Sequence, residues 1–241
     1  MKNLLIVSGS LNRGGAERVI SILANELVQR GWDITILTVL DSGCGYALDP
    51  RIRIINISRK KQNQILSIPR LVRNIRKTIV AVRPDSVVSF MIAINILTWF
   101  ATRGLKVRFI PSERNDPSIG RNAVFRLLQR TVYKHSNAIV FQTERAKKHF
   151  SSDIQKKSVV IPNPVRVPIS AQERKAKKIV SIGRLEPQKN QKLLIRAFNR
   201  IHSRYPGYCL EIYGEGALRN DLQQLIDSLE LTSSVFLPNS L

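Results

Sequence analysis

The sequence predicts an α/β protein of two Rossmann-like domains, the second of them incomplete. Short apolar runs alternate with segments whose apolar residues recur at helical spacing, beginning at Asn3. That rhythm breaks at Pro162, Pro164 and Pro168 and the charged stretch Ser170 to Lys178, then restarts at Ile179. After the restart, three strand-like and two helical segments remain before Leu241, too few to cover both faces of a sheet. The expected boundaries are 1–168 for the first domain, 169–177 for a linker and 178–241 for the second domain.

Asn3 to Ser8 reads as a buried strand, and Gly9 to Gly15 as a loop with Asn12 as a turn residue. Ala16, Val19, Ile20, Leu23 and Leu27 then recur at helical spacing, and Gly31 stands just past the helix end. Asp33 to Leu40 is the next strand, parallel to the first by the right-handed crossover rule. The intervening loop lacks the G-x-G-x-x-G spacing, which disfavours a nicotinamide or flavin role. Gly14-Gly15 has two readings, close backbone approach to a ligand or tight helix–strand packing.

Arg51 to Ile57 gives a third strand, and from Arg51 to Arg83 there are ten basic residues and no acidic one. Within that stretch Ile68, Leu71, Val72, Ile75, Ile79 and Val82 form one helical face, with Pro69 in the first turn. Arg70, Arg73, Arg76 and Lys77 project elsewhere. Such a helix docks on anionic headgroups in one reading and simply has a solvated outer face in the other.

Asp85 to Phe90 is a strand, Met91 to Thr102 a largely buried helix, and Arg108 to Pro111 a strand that runs into Ser112-Glu113-Arg114-Asn115-Asp116-Pro117. Polar residues just past a strand's carboxyl end are where parallel α/β sheets bind ligands. Glu113 is the candidate catalytic group, accepting a hydrogen bond from an acceptor hydroxyl or else from loop backbone. Phe125, Leu128, Val132 and Tyr133 mark a helix, Ala138 to Phe141 a strand, Thr143 the cap of a short basic helix, and Ser158 to Ile161 the domain's last strand. His135, His149 and His202 fall in or at the ends of these helices or the one that follows, with no ligand or triad spacing.

The second domain reads as strand Ile179 to Ile182, helix Gln191 to Arg204, strand Tyr208 to Tyr213, helix Leu218 to Leu229 and strand Val235 to Leu237. Its first unit joins a strand, a glycine turn at Gly183, and a loop carrying Arg184 and Lys189 ahead of a helix. Free backbone N–H groups and the helix dipole meet there, and a planar fork plus a point charge suits a diphosphate. An ordinary βα unit with two solvated cations is the alternative.

Composition narrows the partners. Thirty-nine Lys and Arg against 17 Asp and Glu give a net charge of +22 and a pI of about 10.8, so the expected partner is polyanionic: nucleic acid, an anionic lipid surface or phosphorylated ligands. Aromatic residues are 6%, and no recognition-helix motif, RNP-like sequence or zinc knuckle is present, which argues against a specific nucleic-acid reader. Cys44 and Cys209 stand far apart, as incidental thiols of a reducing compartment do. No Asp-x-Asp pair or His/Cys cluster marks a metal site. The amino terminus turns polar too soon for a signal peptide, and the longest apolar run, Phe90 to Ala101, falls short of a bilayer span, so a cytoplasmic chain is expected.

Five blocks, in order, resemble family 4 glycosyltransferases: Gly14-Gly15-Ala16-Glu17-Arg18, Ser112 to Pro117, Ile161-Pro162-Asn163-Pro164-Val165, Gly183-Arg184-Leu185 with Lys189-Asn190, and Glu211-Ile212-Tyr213-Gly214-Glu215-Gly216. Together they span nearly the whole chain; each is weak alone and the ordered set is specific. The resemblance implies GT-B architecture and retaining transfer of a hexosyl or N-acetylhexosaminyl group from a nucleotide-sugar. The acceptor would be lipid-linked or a polysaccharide of the cell surface, reached at the inner face of the membrane. Gly14, Gly15, Gly183, Arg184 and Lys189 would contact the donor phosphates, with no metal or other cofactor. Ser-Glu-Arg-Asn stands where much of the family carries a His-bearing motif. The family's pair of glutamates seven residues apart has no match here, so a C-terminally truncated member with impaired turnover is expected. The competing expectation is a non-catalytic basic fragment that binds anionic membrane or nucleic acid.

Overall fold

A computed structural model describes residues 2–58, 68–115, 117, 122–164 and 177–239. Asp116, Val165 and the expected linker, apart from Lys177, lie outside the described residues. The chain forms two compact units, Met1–Arg166 and Val167–Leu241.

The first unit alternates strands and helices: β1 Asn3–Ser8, α1 Gly15–Gln29, β2 Asp33–Thr38, β3 Arg53–Asn56, α2 Ile68–Val82, β4 Ser86–Phe90 and α3 Ile92–Thr102. It continues through β5 Arg108–Glu113, α4 Ala123–Lys134, β6 Ile139–Phe141, the short helices α5 Glu144–Lys148 and α6 Ser152–Lys156, and β7 Ser158–Val160. Among the described residues these strands make one seven-stranded parallel sheet in the order β3-β2-β1-β4-β5-β6-β7. The order reverses between β1 and β4, and that reversal opens a crevice at the strands' carboxyl ends. Period-two alternation divides the core. Leu4 and Ile6 pack with Val19, Ile20 and Ala24 of α1 on one face, while Leu5 and Val7 share the other with Ile75 and Ile79 of α2 and Val132 and Tyr133 of α4. Gly31, at φ +80, lets the chain leave α1 where the sequence places its end.

Helix α2 departs from the expected pattern at both edges. Ile75 and Ile79 are buried, but Ile68 at the start is 47% exposed, and the buried set gains Thr78. Arg76 is not a surface cation: its Nη1 donates to the carbonyls of Ala101 (3.0 Å) and Arg103 (2.7 Å). It thereby satisfies the carboxyl end of α3, where unpaired carbonyls and the helix dipole both favour a positive charge. This removes Arg76 from the expected headgroup-binding set, while Arg70, Arg73 and Lys77 remain exposed. Among the described residues, no helix is long and apolar enough to cross a membrane.

The second unit contains β8 Lys178–Ile182, a 3-10 turn at Pro187–Lys189, α7 Gln191–His202, β9 Cys209–Tyr213, α8 Arg219–Ser228 and β10 Val235–Phe236. Its described strands form a parallel sheet in the order β10-β9-β8. Ile195 and Phe198 of α7 and Leu222 and Ile226 of α8 bury Leu210 and Ile212 of β9. Val180 and Ile182 of β8 are exposed.

Candidate functional site

In the first unit the loop between β1 and α1 sits at the sheet's reversal point, braced from beneath by residues 41–46. Asn12 Nδ2 donates to Asp41 (2.6 Å), and the Gly45 amide donates to Leu11 O (2.8 Å). The Gly43 amide, and then Asn12, hold the Asp41 carboxyl below its ordinary range. Tyr46 straddles Gly14: its hydroxyl accepts from the Gly14 amide (3.1 Å) and donates to the Gly14 carbonyl (2.8 Å). Gly14 therefore has a protein partner for its amide. Gly15, the first residue of α1, differs, because a Cβ there would meet nothing within 4 Å. Packing does not require glycine at 15, and the space beside the helix's free N–H groups is open.

At the end of β5, Glu113 is committed to partners within the fold. It is 1% exposed, and both of its oxygens are engaged. Oε2 accepts from Gln129 Nε2 (2.6 Å) and Tyr133 Oη (2.7 Å), both on α4, and Oε1 accepts from the Asn115 amide (3.1 Å). Burial, and then the neighbouring Glu113, push the Tyr133 hydroxyl pKa well up, so it stays a donor. The loop-backbone contact expected as the alternative is made by the Asn115 amide, while side chains of α4 take Oε2. Beneath it, Ser89 Oγ donates to Asn95 Oδ1 (2.6 Å), and Asn95 Nδ2 donates to Ser112 O (3.2 Å), a buried polar seam joining β4, α3 and β5. A recess of about 300 Å³ opens beside it, lined by Glu113 itself with Asn115, Gln142, Thr143 and Arg145 among others. Thr143 caps α5 as expected, accepting from the Ala146 amide at 3.1 Å.

In the second unit, the loops after β8 and β9 lie backbone against backbone. The Gly183 amide donates to Tyr213 O (2.9 Å), the Leu185 amide to Glu215 O (2.9 Å) and the Leu218 amide to Leu185 O (3.0 Å). Gly214 has φ +147, and a Cβ there would collide with the Gly183 carbonyl; one at Gly216 would collide with that of Leu185. Gly183 itself would tolerate a Cβ, which meets only the Lys189 side chain at 3.6 Å. The strict glycine requirement thus falls on Gly214 and Gly216, whose special backbone the sequence does not mark. Gln191 Nε2 ties the start of α7 to Arg184 O (2.8 Å), and Arg219 Nη2 ties the start of α8 to Leu237 O (2.6 Å), just past β10. Arg184 is 68% exposed and pairs with Glu186 at 3.0 Å. An exposed pair of this kind contributes only about 0–1 kcal/mol, so the Arg184 fork is weakly held. Lys189, also exposed, lays its methylenes along Gly183, which brings both cations to one loop at the carboxyl end of β8.

The profile of Glycosyltransferase Family 4 matches residues 13–167. The chain belongs to glycosyltransferase family 4. A second profile, Glycosyl transferases group 1, matches residues 167–241 of this family 4 chain. An uncharacterized glycosyltransferase of Methanocaldococcus jannaschii is 29% identical over 217 residues, 77% of this chain and 53% of the relative. A Campylobacter jejuni protein named N-acetylgalactosamine-N,N'-diacetylbacillosaminyl-diphospho-undecaprenol 4-alpha-N-acetylgalactosaminyltransferase is 27% identical over 257 residues, 98% of this chain and 69% of the relative. The family 4 chain thus spans about half the length of the first and about two-thirds of the second. Among solved structures, Anabaena HepE in complex with UDP and glucose superposes with a TM-score of 0.78 at 14% identity, over 99% of this chain and 69% of HepE. TarM gives 0.79 at 12% identity, over 100% of this chain and 77% of TarM. These likenesses show the fold, a GT-B architecture with parallel α/β sheets, as the sequence resemblance led us to expect.

Proposed function

We propose that this chain takes part in moving a hexosyl or N-acetylhexosaminyl group from a nucleotide-sugar to a lipid-linked or polysaccharide acceptor. The observation that carries this reading is the paired-loop cradle after β8 and β9, with Arg184 and Lys189 on one loop ahead of the amino end of α7. When the glycosidic bond breaks, charge develops on the departing diphosphate, and cations fixed at that point lower the barrier. Arg184 and Lys189 supply the positive charge, so the reaction needs no metal ion or other cofactor. Gly15 leaves room for a bound group beside α1. Glu113 acts by holding the loop after β5 rather than by touching the reacting atoms.

The name of the Campylobacter jejuni relative supports the acceptor class, since it describes transfer onto an undecaprenol-linked saccharide. An acceptor of that kind lies at a membrane, and Arg73 and Lys77 on the outer side of α2 offer contacts to anionic headgroups on its inner face. The net charge of +22 also favours a second reading, a basic non-catalytic chain that binds anionic surfaces.

The deciding experiment measures UDP- and GDP-sugar turnover with lipid-linked acceptor, for this chain and for a version extended with the remaining carboxyl-terminal part of a relative. Turnover in either that falls at least tenfold in R184A and K189A supports the transfer reading, since each variant removes a charge-assisted contact worth about 1.5–3 kcal/mol. A folded extended protein with no turnover, or variants with undiminished donor affinity and rate, overturns it in favour of the second reading.

A further inference from the structure

The recess beside Glu113 is formed by two loops that the sheet register brings together. Ser112 pairs with Val140 and Glu113 with Phe141, so the residues after β5 and β6 leave the sheet side by side at its carboxyl edge. In parallel α/β sheets that edge is the ligand-binding side. The first loop contributes Asn115 and Pro117, and the second Gln142, Thr143, Arg145 and Ala146. A volume of about 300 Å³ is at the small end of the range for ligand pockets, which suits one ring rather than a chain of them.

The frame of this recess is held by the fold. Glu113 is buried, and its oxygens are taken by Gln129, Tyr133 and the Asn115 amide. Phe141, immediately before Gln142, is buried and stacks on Phe150 with ring centroids 5.2 Å apart. Thr143 Oγ accepts from the Ala146 amide (3.1 Å), which sets the turn into α5. The side chains that point to a ligand are differently placed. The carboxamides of Asn115 and Gln142 and the guanidinium of Arg145 make no hydrogen bond or ion pair among the described residues, although all three line the same recess.

That lining selects a chemical class. Each carboxamide offers both N–H and C=O, the Thr143 hydroxyl keeps its proton to donate, and Arg145 adds donors alone. The set is too polar for an apolar ligand, and the Glu113 carboxyl in the wall disfavours a phosphate. A neutral ligand with several hydroxyls fits, because every hydroxyl donates and accepts at once. Pro117 and Ala146 supply a small apolar wall for the C–H face of its ring.

We propose that this recess binds one pyranose residue of a saccharide, with Asn115, Gln142 and Arg145 as its specificity-determining contacts. Removing any of the three leaves the frame intact, since none of them holds another part of the fold through its side chain. That the saccharide belongs to the acceptor rests on the transfer reading; the sugar site does not.

The test uses the full chain with methyl hexosides and methyl N-acetylhexosaminides, which carry no phosphate and so do not report on Arg184 and Lys189. Binding is followed by NMR, through the side-chain NH₂ signals of Asn115 and Gln142 and the backbone amides of residues 143–146. With at least one glycoside these signals should move saturably, at about millimolar concentration, and glycerol should leave them in place. N115A and Q142A should each weaken binding about threefold to tenfold, and R145A at least about tenfold, the losses expected for a neutral and a charge-assisted hydrogen bond. All three variants should melt within about 2 °C of the parent, which separates lost contact from lost fold. No shift with any glycoside, shifts confined to other residues, or variants that bind within twofold of the parent overturn the site. In the extended chain described above, Q142A and R145A should raise the acceptor KM about threefold or more and leave donor affinity unchanged. Turnover with an unaltered acceptor KM sinks the sugar site and keeps the transfer reading. A chain that binds the glycosides through Gln142 and Arg145 but never turns over a nucleotide-sugar does the opposite.

Discussion

Replacing Gly214 with Ala tests whether the cradle after β8 and β9, proposed above to hold a diphosphate, is built of main chain. At φ +147 an L-residue is strained by about 1–3 kcal/mol, and its Cβ would also drive into the Gly183 carbonyl. Relief requires the two loops to part, which strains or breaks the bonds from the Gly183 amide to Tyr213 and from the Leu185 amide to Glu215, each worth about 0.5–1.5 kcal/mol. Together the cost is roughly 2–6 kcal/mol. A unit running from Val167 to Leu241 has about 4–11 kcal/mol of stability in total, so about half of it is at stake at the middle of the two ranges. At about 4–8 °C per kcal/mol for a domain of this size, the unit's melting temperature should fall by at least about 8 °C. Affinity for UDP should fall with it. Gly183→Ala is the internal control: its Cβ meets only the flexible Lys189 side chain, so melting should hardly change. Hydrogen exchange assigned to residues 177–239 separates this unit's transition from the other's. If G214A melts within 1 °C of the parent and binds UDP equally well, the backbone account of the cradle is wrong.

The other expectations follow from the first unit. Gly15→Ala should leave stability unchanged or raise it by a few tenths of a kcal/mol to about 1 kcal/mol, because no neighbour lies within 4 Å and alanine favours helix, yet it should lower turnover if a substrate uses that space. Arg76→Ala should destabilise by about 1–2 kcal/mol in thermal unfolding, through the lost cap on α3, while leaving binding to phosphatidylglycerol vesicles largely intact; R73Q/K77Q should do the reverse, and matching effects would refute the division of roles. Tyr133→Phe keeps the ring packing against Phe141 and Phe150 but removes a donor from buried Glu113; a loss of about 1.5–3 kcal/mol is expected, seen as lower melting and faster exchange of the Asn115 amide.

Periodicity carried most of the fold. Leu4 to Val7, the Ala16 to Leu27 stripe and the Gly31 stop each encode a local choice, and the parallel order follows once strands alternate with helices. The loop with Arg184 and Lys189 was legible for the same reason, since strand, turn, cations and helix stand within fourteen residues, Lys178 to Gln191. What failed to show was everything that depends on a neighbour distant in sequence. A helical wheel gives Arg76 an azimuth but not the end of α3 beside it. The Ser112 to Pro117 block pointed to Glu113, but its partners Gln129 and Tyr133 lie on α4 and carry no mark of their role. Tyr46, which brackets Gly14 from 32 residues away, is silent for the same reason. Gly214 and Gly216 were visible as letters in a block, whereas their contact with residues 183–185 is a property of backbone geometry alone.

The cradle after β8 and β9 also bears on how such a protein can change. Because its shape comes from carbonyls and amides in contact, the side chains at 184, 186 and 215 decorate a frame they do not create. Two glycines are locked, and the positions around them are open to recoding. On the transfer reading, altered preference for the leaving group is therefore within reach of single substitutions at the rim, whereas a new frame would demand two simultaneous changes on separate loops.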